Sequence, residues 1–246
     1  MCQTTVDSAG VWYGAAKSIS FPRRSGIRLE GMKRSELVRR IAEIGIVPIV
    51  RVNSAEAAVR SVEAIVEGGI PCAEITMTVP GALRALEAVA AKFGDKIMLG
   101  AGTVLDPESC RISMLSGAEF FVTPALRVST IEMAHRYDKA IMPGALTPTE
   151  VLTAWEAGAD VVKVFPCGNM GGAKYIKALK GPLPQVEMAP TGGVNLETIG
   201  DFLKAGACAA GVGSELVDAA TIKAGTYEVF VERAKQYLAA VKAARA

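Results

Sequence analysis

From Lys33 onward, short apolar runs alternate with longer stretches in which apolar residues recur at helical spacing. The short runs are Gly45-Ile-Val-Pro-Ile-Val-Arg51, Cys72-Ala-Glu-Ile-Thr-Met77, Lys96-Ile-Met-Leu-Gly-Ala101, Glu119-Phe-Phe-Val-Thr123 and Lys139-Ala-Ile-Met-Pro143. They continue as Asp160-Val-Val-Lys-Val-Phe-Pro166, Val186-Glu-Met-Ala-Pro190 and Cys208-Ala-Ala-Gly-Val-Gly213. Each has the length and turn punctuation of a buried parallel strand. Between them, helical patterns run over Ser54–Glu67, Gly81–Lys92, Pro107–Ser116, Pro148–Ala157 and Leu196–Ala205, and a further amphipathic helix, Ser35–Glu43, precedes the first strand. Asn53-Ser54 and Asp106-Pro107 are helix-start signals, and Gly-Ala recurs before strands at Gly117-Ala118, Gly158-Ala159 and Gly206-Ala207. Eight βα units in this cadence predict an α/β protein, a TIM (β/α)8 barrel with an extra N-terminal helix. A doubly wound open sheet is the alternative that the same cadence permits.

Length agrees with the barrel, since the chain has 246 residues and the fold takes about 250. Residues 1–31 lack the cadence; they are expected to form a disordered extension, or to precede a true start at Met32, with residues 32–246 as the barrel domain. Against 25 acidic residues stand 27 basic ones, spread along the chain, so no basic stripe points to nucleic acid. No segment approaches the roughly 18 apolar residues of a membrane span. The five cysteines are far apart and form no C-x-x-C pair, which predicts reduced thiols and a cytoplasmic protein. A single histidine, His135, excludes a multi-histidine metal site and is expected on a helix surface.

In a barrel of this kind chemistry gathers at the C-terminal ends of the strands, so the polar residues there decide function. Lys163 sits inside an apolar strand, where an ammonium is costly to desolvate. Two roles fit it: a lysine reaching a carboxylate or solvent, or a free amine of depressed pKa able to form an imine with a ketone. On the second strand Glu74, Thr76 and Thr78 share one face and Ala73, Ile75 and Met77 the other. The apolar face meets the helices, which leaves Glu74 pointing into the barrel. Arg51 ends the first strand, Thr103 the third and Thr123-Pro124 the fourth. The seventh ends Thr191-Gly192-Gly193 and the eighth Gly211-Val-Gly213-Ser214, two glycine loops in the position of the fold's recurrent phosphate cradle.

These segments resemble a known family. Glu74-Ile-Thr, Gly100-Ala-Gly-Thr-Val-Leu105, Val122-Thr-Pro124, Met142-Pro-Gly144, Lys163-Val-Phe-Pro166, Pro190-Thr-Gly-Gly193 and Gly213-Ser214 are similar, in order, to motifs of the 2-keto-3-deoxy-6-phosphogluconate (KDPG) and 4-hydroxy-2-oxoglutarate (KHG) aldolases. The resemblance implies a class I aldolase without metal or cofactor, a homotrimer that yields pyruvate and glyceraldehyde 3-phosphate. It implies Lys163 as the Schiff-base lysine and Glu74 as general acid and base. Thr103 and Pro124 would line the substrate pocket, Thr191 would also bind substrate, and Gly192, Gly193, Gly213 and Ser214 would hold its phosphate. Where many members carry an arginine shortly after the glutamate, this chain has Thr78, so the substrate carboxylate is expected at Arg51. A 4-hydroxy-2-oxoglutarate aldolase, a 6-phosphogalactonate-specific relative, a phosphate-binding barrel isomerase or synthase without an imine, and a non-catalytic sugar-phosphate binder are the alternatives.

Overall fold

A computed structural model describes residues 32–246; the expectation of a disordered extension concerns residues 1–31, which lie outside the described residues. The strands are β1 (Ile46–Val50), β2 (Cys72–Thr76), β3 (Met98–Gly102), β4 (Phe120–Val122), β5 (Ala140–Met142), β6 (Gly144–Ala145), β7 (Val162–Val164), β8 (Met188–Pro190) and β9 (Ala210–Val212). All pairings are parallel, with β5-β4-β3-β2-β1-β9 forming one ladder and β6-β7-β8 another.

Two junctions turn these ladders into a ring. β5 and β6 are one barrel strand broken at Pro143, which has no N–H to give the ladder. The carbonyl of Pro143 nevertheless accepts from Lys163 N at 2.9 Å, so pairing with β7 runs through the break. At the other junction Cys208 N donates to Met188 O at 3.0 Å, and Thr191 bridges to Gly211. The sheet therefore closes as a (β/α)8 barrel, and the open-sheet alternative falls. The strand count predicted from the sequence holds once β5 and β6 are read as one strand.

The helices α1 (Arg34–Ile44), α2 (Ala55–Glu67), α3 (Ala82–Phe93), α4 (Pro107–Leu115), α5 (Val128–Arg136), α6 (Pro148–Glu156), α7 (Ala173–Lys180), α8 (Ile199–Lys204), α9 (Ala219–Ala224) and α10 (Glu228–Arg245) complete the fold. The first is the extra N-terminal helix. Local signals explain their starts: Ser54 Oγ accepts from Ala57 N, Asp106 from Ser109 N, and Thr147 forms a reciprocal capping box with Glu150. The Gly-Ala turns work because Gly117, Gly158 and Gly206 take φ of 104°, 93° and 101°, where a side chain would clash with its own backbone. In α2 the left-handed position falls on Gly69 (φ 96°), one residue after Gly68, at which the pattern alone closes the helix. Fully buried side chains such as Leu86, Ile75, Phe121, Ile141, Val151 and Phe202 fill the layer between strands and helices.

Candidate active site

The two candidate residues of opposite charge both face the barrel interior. Glu74 on β2 is 1% exposed and Lys163 on β7 is 7% exposed. They line one cavity with Val122, Met142, Thr191 and Gly211. Alternation along β2 puts Glu74 and Thr76 inside, and Thr76 hydroxyl meets that of Thr78 at 2.9 Å towards the mouth.

Glu74 and Lys163 are near enough to influence each other, yet no salt bridge of 4.0 Å or less joins them among the described residues. Glu74 Oε2 is buried with no hydrogen-bond partner. Burial raises the Glu74 pKa, and the positive charges of Lys163 and Arg51 only partly oppose that. Burial likewise lowers the Lys163 pKa; Glu74 opposes this and Arg51 reinforces it. Desolvation leads in both cases, so burial pushes each group towards its neutral form. The ring of Phe165, centred 5.2 Å from Lys163 Nζ, covers the lysine on one side. Sequence reading passed over Phe165 as a strand residue. The signal was there, because a residue two positions on from Lys163 shares its face.

Around this pair stand the other predicted residues. Arg51, exposed at the end of β1, donates from Nη2 to Thr103 Oγ1 at 3.3 Å. Thr103 has φ 56°, a costly conformation for a β-branched residue, held where β3 leaves the barrel. Pro124 is positioned by its neighbour: Thr123 Oγ1 donates to Ala125 O at 2.6 Å and accepts from Gly144 N at 3.1 Å. Gly144 is required there, since a Cβ would run into the Pro124 carbonyl.

The two glycine loops adjoin each other at the mouth. Gly192 and Gly193 have φ of 86° and 76°, and Gly168 N donates to Gly192 O at 2.9 Å. Thr198 Oγ1 donates to Gly193 O at 2.9 Å, and Asn195 Oδ1 accepts from Glu197 N and Thr198 N. The amides before α8 are thus already occupied, which leaves backbone glycines as the candidate anion ligands on this side. Thr191 is buried beside Gly211, where a Cβ would strike its Oγ1. Gly213 stands in open space, and Ser214 is exposed.

His135 departs from the sequence expectation. It lies on α5 but is largely covered and meets Asp160 Oδ2 at 3.2 Å, at the opposite end of the barrel from Lys163. Among the described residues no group of three or more His, Cys, Asp or Glu is close enough to hold a metal ion.

A profile of the KDPG and KHG aldolases matches residues 37–232. The chain belongs to this aldolase family. The 2-dehydro-3-deoxy-6-phosphogalactonate aldolase of Escherichia coli is 36% identical over 201 residues, covering 81% of this chain and 98% of that protein. The 2-dehydro-3-deoxy-phosphogluconate aldolase of Haemophilus influenzae is 32% identical, covering 78% and 91%. Among solved structures, the KDPG aldolase of Legionella pneumophila, with pyruvate captured at low pH as a covalent carbinolamine, superposes with a TM-score of 0.75. It is 28% identical, and the match covers 81% of this aldolase and 96% of that chain.

Proposed function

We propose that this aldolase cleaves KDPG to pyruvate and glyceraldehyde 3-phosphate through an imine on Lys163, without a metal. The observation that carries the proposal is the interior pair: a desolvated lysine and an unpartnered carboxyl in one cavity, with no ion pair holding either. A neutral amine can add to the C2 ketone of the substrate. A protonated Glu74 then gives its proton to the carbinolamine hydroxyl, which leaves as water. The resulting carboxylate takes the C4 hydroxyl proton, through a water where the distance requires one. As the C3–C4 bond breaks, its electrons flow into the iminium and form the enamine. Protonation at C3 and hydrolysis release pyruvate and free Lys163. The imine is the electron sink and Glu74 the proton path, so the cycle asks nothing of a metal.

Substrate binding follows the rim. Arg51, hydrogen-bonded to Thr103, is the cation available to the substrate carboxylate, and Pro124 walls the pocket. Gly192, Gly193, Gly213 and Ser214 would cradle the phosphate by close backbone approach and a hydroxyl, with Thr191 between that cradle and Lys163. Binding energy from that remote group would position the scissile bond. A second substrate is favoured by one finding, the 36% identity to a phosphogalactonate aldolase. Comparing kcat/KM for the gluconate- and galactonate-derived keto acids, which differ at C4, decides between them.

Two further assignments concern assembly and location. Leu105, Ile112, Leu115 and Val128 are exposed on or beside α4 and the start of α5, apolar surface that supports a homotrimer, testable by light scattering. Cys72, Cys110, Cys167 and Cys208 are unpaired, which supports a cytoplasmic location. The deciding experiment for the chemistry is borohydride reduction in the presence of pyruvate. A stable adduct on Lys163, located by mass spectrometry, is expected. Turnover without any adduct would move the protein to the imine-free barrel isomerases and synthases.

A further inference from the structure

The interior face of β3 carries glycine at two successive inward positions, Gly100 and Gly102, and each vacancy is used by a neighbouring strand. At Gly100 the ring of Phe120, from β4, occupies the place of the missing side chain. At Gly102 the occupant is the carboxyl of Glu74: an added Cβ would lie 2.6 Å from Oε1 and 2.7 Å from Cδ. In register, Glu74 pairs with Gly100 and Thr76 with Gly102. The Glu74 side chain therefore starts level with Gly100 but leans its carboxyl towards the mouth, into the space of the next inward position on β3. Phe120, fully buried, blocks the deeper level.

We infer that Gly102 is a positioning residue for Glu74: its missing side chain is the slot that aims the carboxyl towards the mouth and holds it at the level where a substrate would lie against Lys163. The slot is defined on its other sides too. Gly102 O accepts from Met77 N at 2.8 Å, so the β3 backbone is fixed to β2 and cannot withdraw to make room for a side chain. Gly102 does not take the left-handed conformation, unlike Gly192 and Gly193, so alanine suits its backbone, and the nearest atoms that oppose it are those of the Glu74 carboxyl. With no hydrogen-bond partner on Oε2, steric confinement has to do the orienting that a hydrogen bond does elsewhere.

The inference rests on Glu74 as the proton-transfer group, and the test separates the two. Gly102→Ala should lower kcat at least about tenfold with KM changed by less than about threefold, because binding groups at the rim are untouched. The limb of the kcat–pH profile that Glu74 governs should move as well. Aspartate is one methylene shorter and relieves the clash. Glu74→Asp should therefore lower kcat when Gly102 is present and raise it in the Gly102→Ala background. If Gly102→Ala fails to fold, the double variant should fold and turn over; a double variant that also fails to fold overturns the inference, because the obstacle is then not the carboxyl. Equal losses from Glu74→Asp in both backgrounds overturn it too, as does Gly102→Ala with kcat within twofold of wild type while Glu74→Gln is inactive. Full activity in Glu74→Gln would instead remove Glu74 from the mechanism, and the slot with it.

Discussion

The two ends of the barrel treat buried charge in opposite ways. At the floor Asp160, Lys139 and Arg245 are each answered by partners. Asp160 takes Ile141 N at 2.9 Å, His135 Nε2 at 3.2 Å and Arg34 Nε at 3.4 Å. Lys139 meets Glu119 at 2.6 Å, and Arg245 donates to the carbonyls of Ala42, Glu43 and Cys208. Towards the mouth, Glu74 and Lys163 are more deeply buried than most of these, no ion pair joins either among the described residues, and Glu74 Oε2 has no hydrogen-bond partner there. A charge answered by partners is held in place by them. An unsatisfied one is pushed by burial towards its neutral form, the property that the proposed chemistry uses. The floor is built for holding the ring and the mouth for chemistry, as expected for this fold.

The largest effect that contrast predicts is at Lys163. Lys163→Ala should abolish cleavage and pyruvate-dependent borohydride labelling, while Tm stays level or rises because an unpaired buried amine is removed. Labelling that persists and maps to Lys174, Lys177 or Lys180 would take Lys163 out of the reaction.

Next comes Glu74→Gln, expected to cost at least about 10²-fold in kcat. Its stability sharpens the comparison further. Burial raises the Glu74 pKa, so from about pH 4.3 upward the unfolded chain loses this proton while the folded chain keeps it. The unfolded state then binds fewer protons, and wild-type stability from this group is lost as pH climbs through the folded value. Glutamine does not titrate. The Tm of Glu74→Gln relative to wild type should therefore rise between pH 4 and pH 8. A relative Tm that falls over that range would mean the carboxylate is a structural partner of Lys163, which would erase the contrast between mouth and floor.

How far these features could be read from the sequence depended on whether they were local. The strand runs, the caps at Ser54 and Asp106 and the inward face of Glu74 follow from periodicity and side-chain chemistry within a few residues, and all appear in the fold. The break at Pro143 was legible as a proline, but its continuation as Gly144–Ala145 depends on pairing with β7. His135 looked like a surface residue because Asp160, its partner, lies on a different βα unit. Gly102 stands in the sequence only as one residue of the segment that ends the third strand and carries the family resemblance. That its Cβ space belongs to Glu74 depends on the register between β2 and β3, which one strand's sequence does not reveal.

The glycine loops at the mouth give a smaller, substrate-selective prediction. Gly193 is a poor site to test, since a side chain there faces both a φ of 76° and Gly168 Cα at 2.9 Å. Gly193→Val should lower stability and all activity together. Gly213 has open space around it and no unusual φ, so Gly213→Val should fold normally. With the phosphate cradle as proposed, kcat/KM for the phosphorylated keto acid should drop at least about tenfold, from about 1.5 kcal/mol for one hydrogen bond to a charged group. Cleavage of 4-hydroxy-2-oxoglutarate, which has no phosphate, should be nearly unchanged. Equal losses on both substrates would defeat the phosphate assignment.

The smallest effect on catalysis is expected at the floor. Asp160→Ala strands the buried Ile141 N–H, removes the carboxylate from His135 and leaves Arg34 only the longer contact to Asp138 at 4.0 Å. One unsatisfied buried donor costs about 1–3 kcal/mol, which for a chain of this size lowers Tm by about 2–4 °C per kcal/mol. Asp160→Asn keeps an oxygen for Ile141 N–H and loses only the charge, so it should cost less, because the exposed flank of Arg34 is partly compensated by water. In both variants kcat/KM per folded molecule should match wild type, since no proton or substrate group of the mouth is touched. Thermal melts and active-site titration by borohydride trapping measure the two quantities separately. Loss of turnover at full folded fraction in Asp160→Ala would show that the floor's charges reach the mouth, and that the division between the ends of the barrel is wrong.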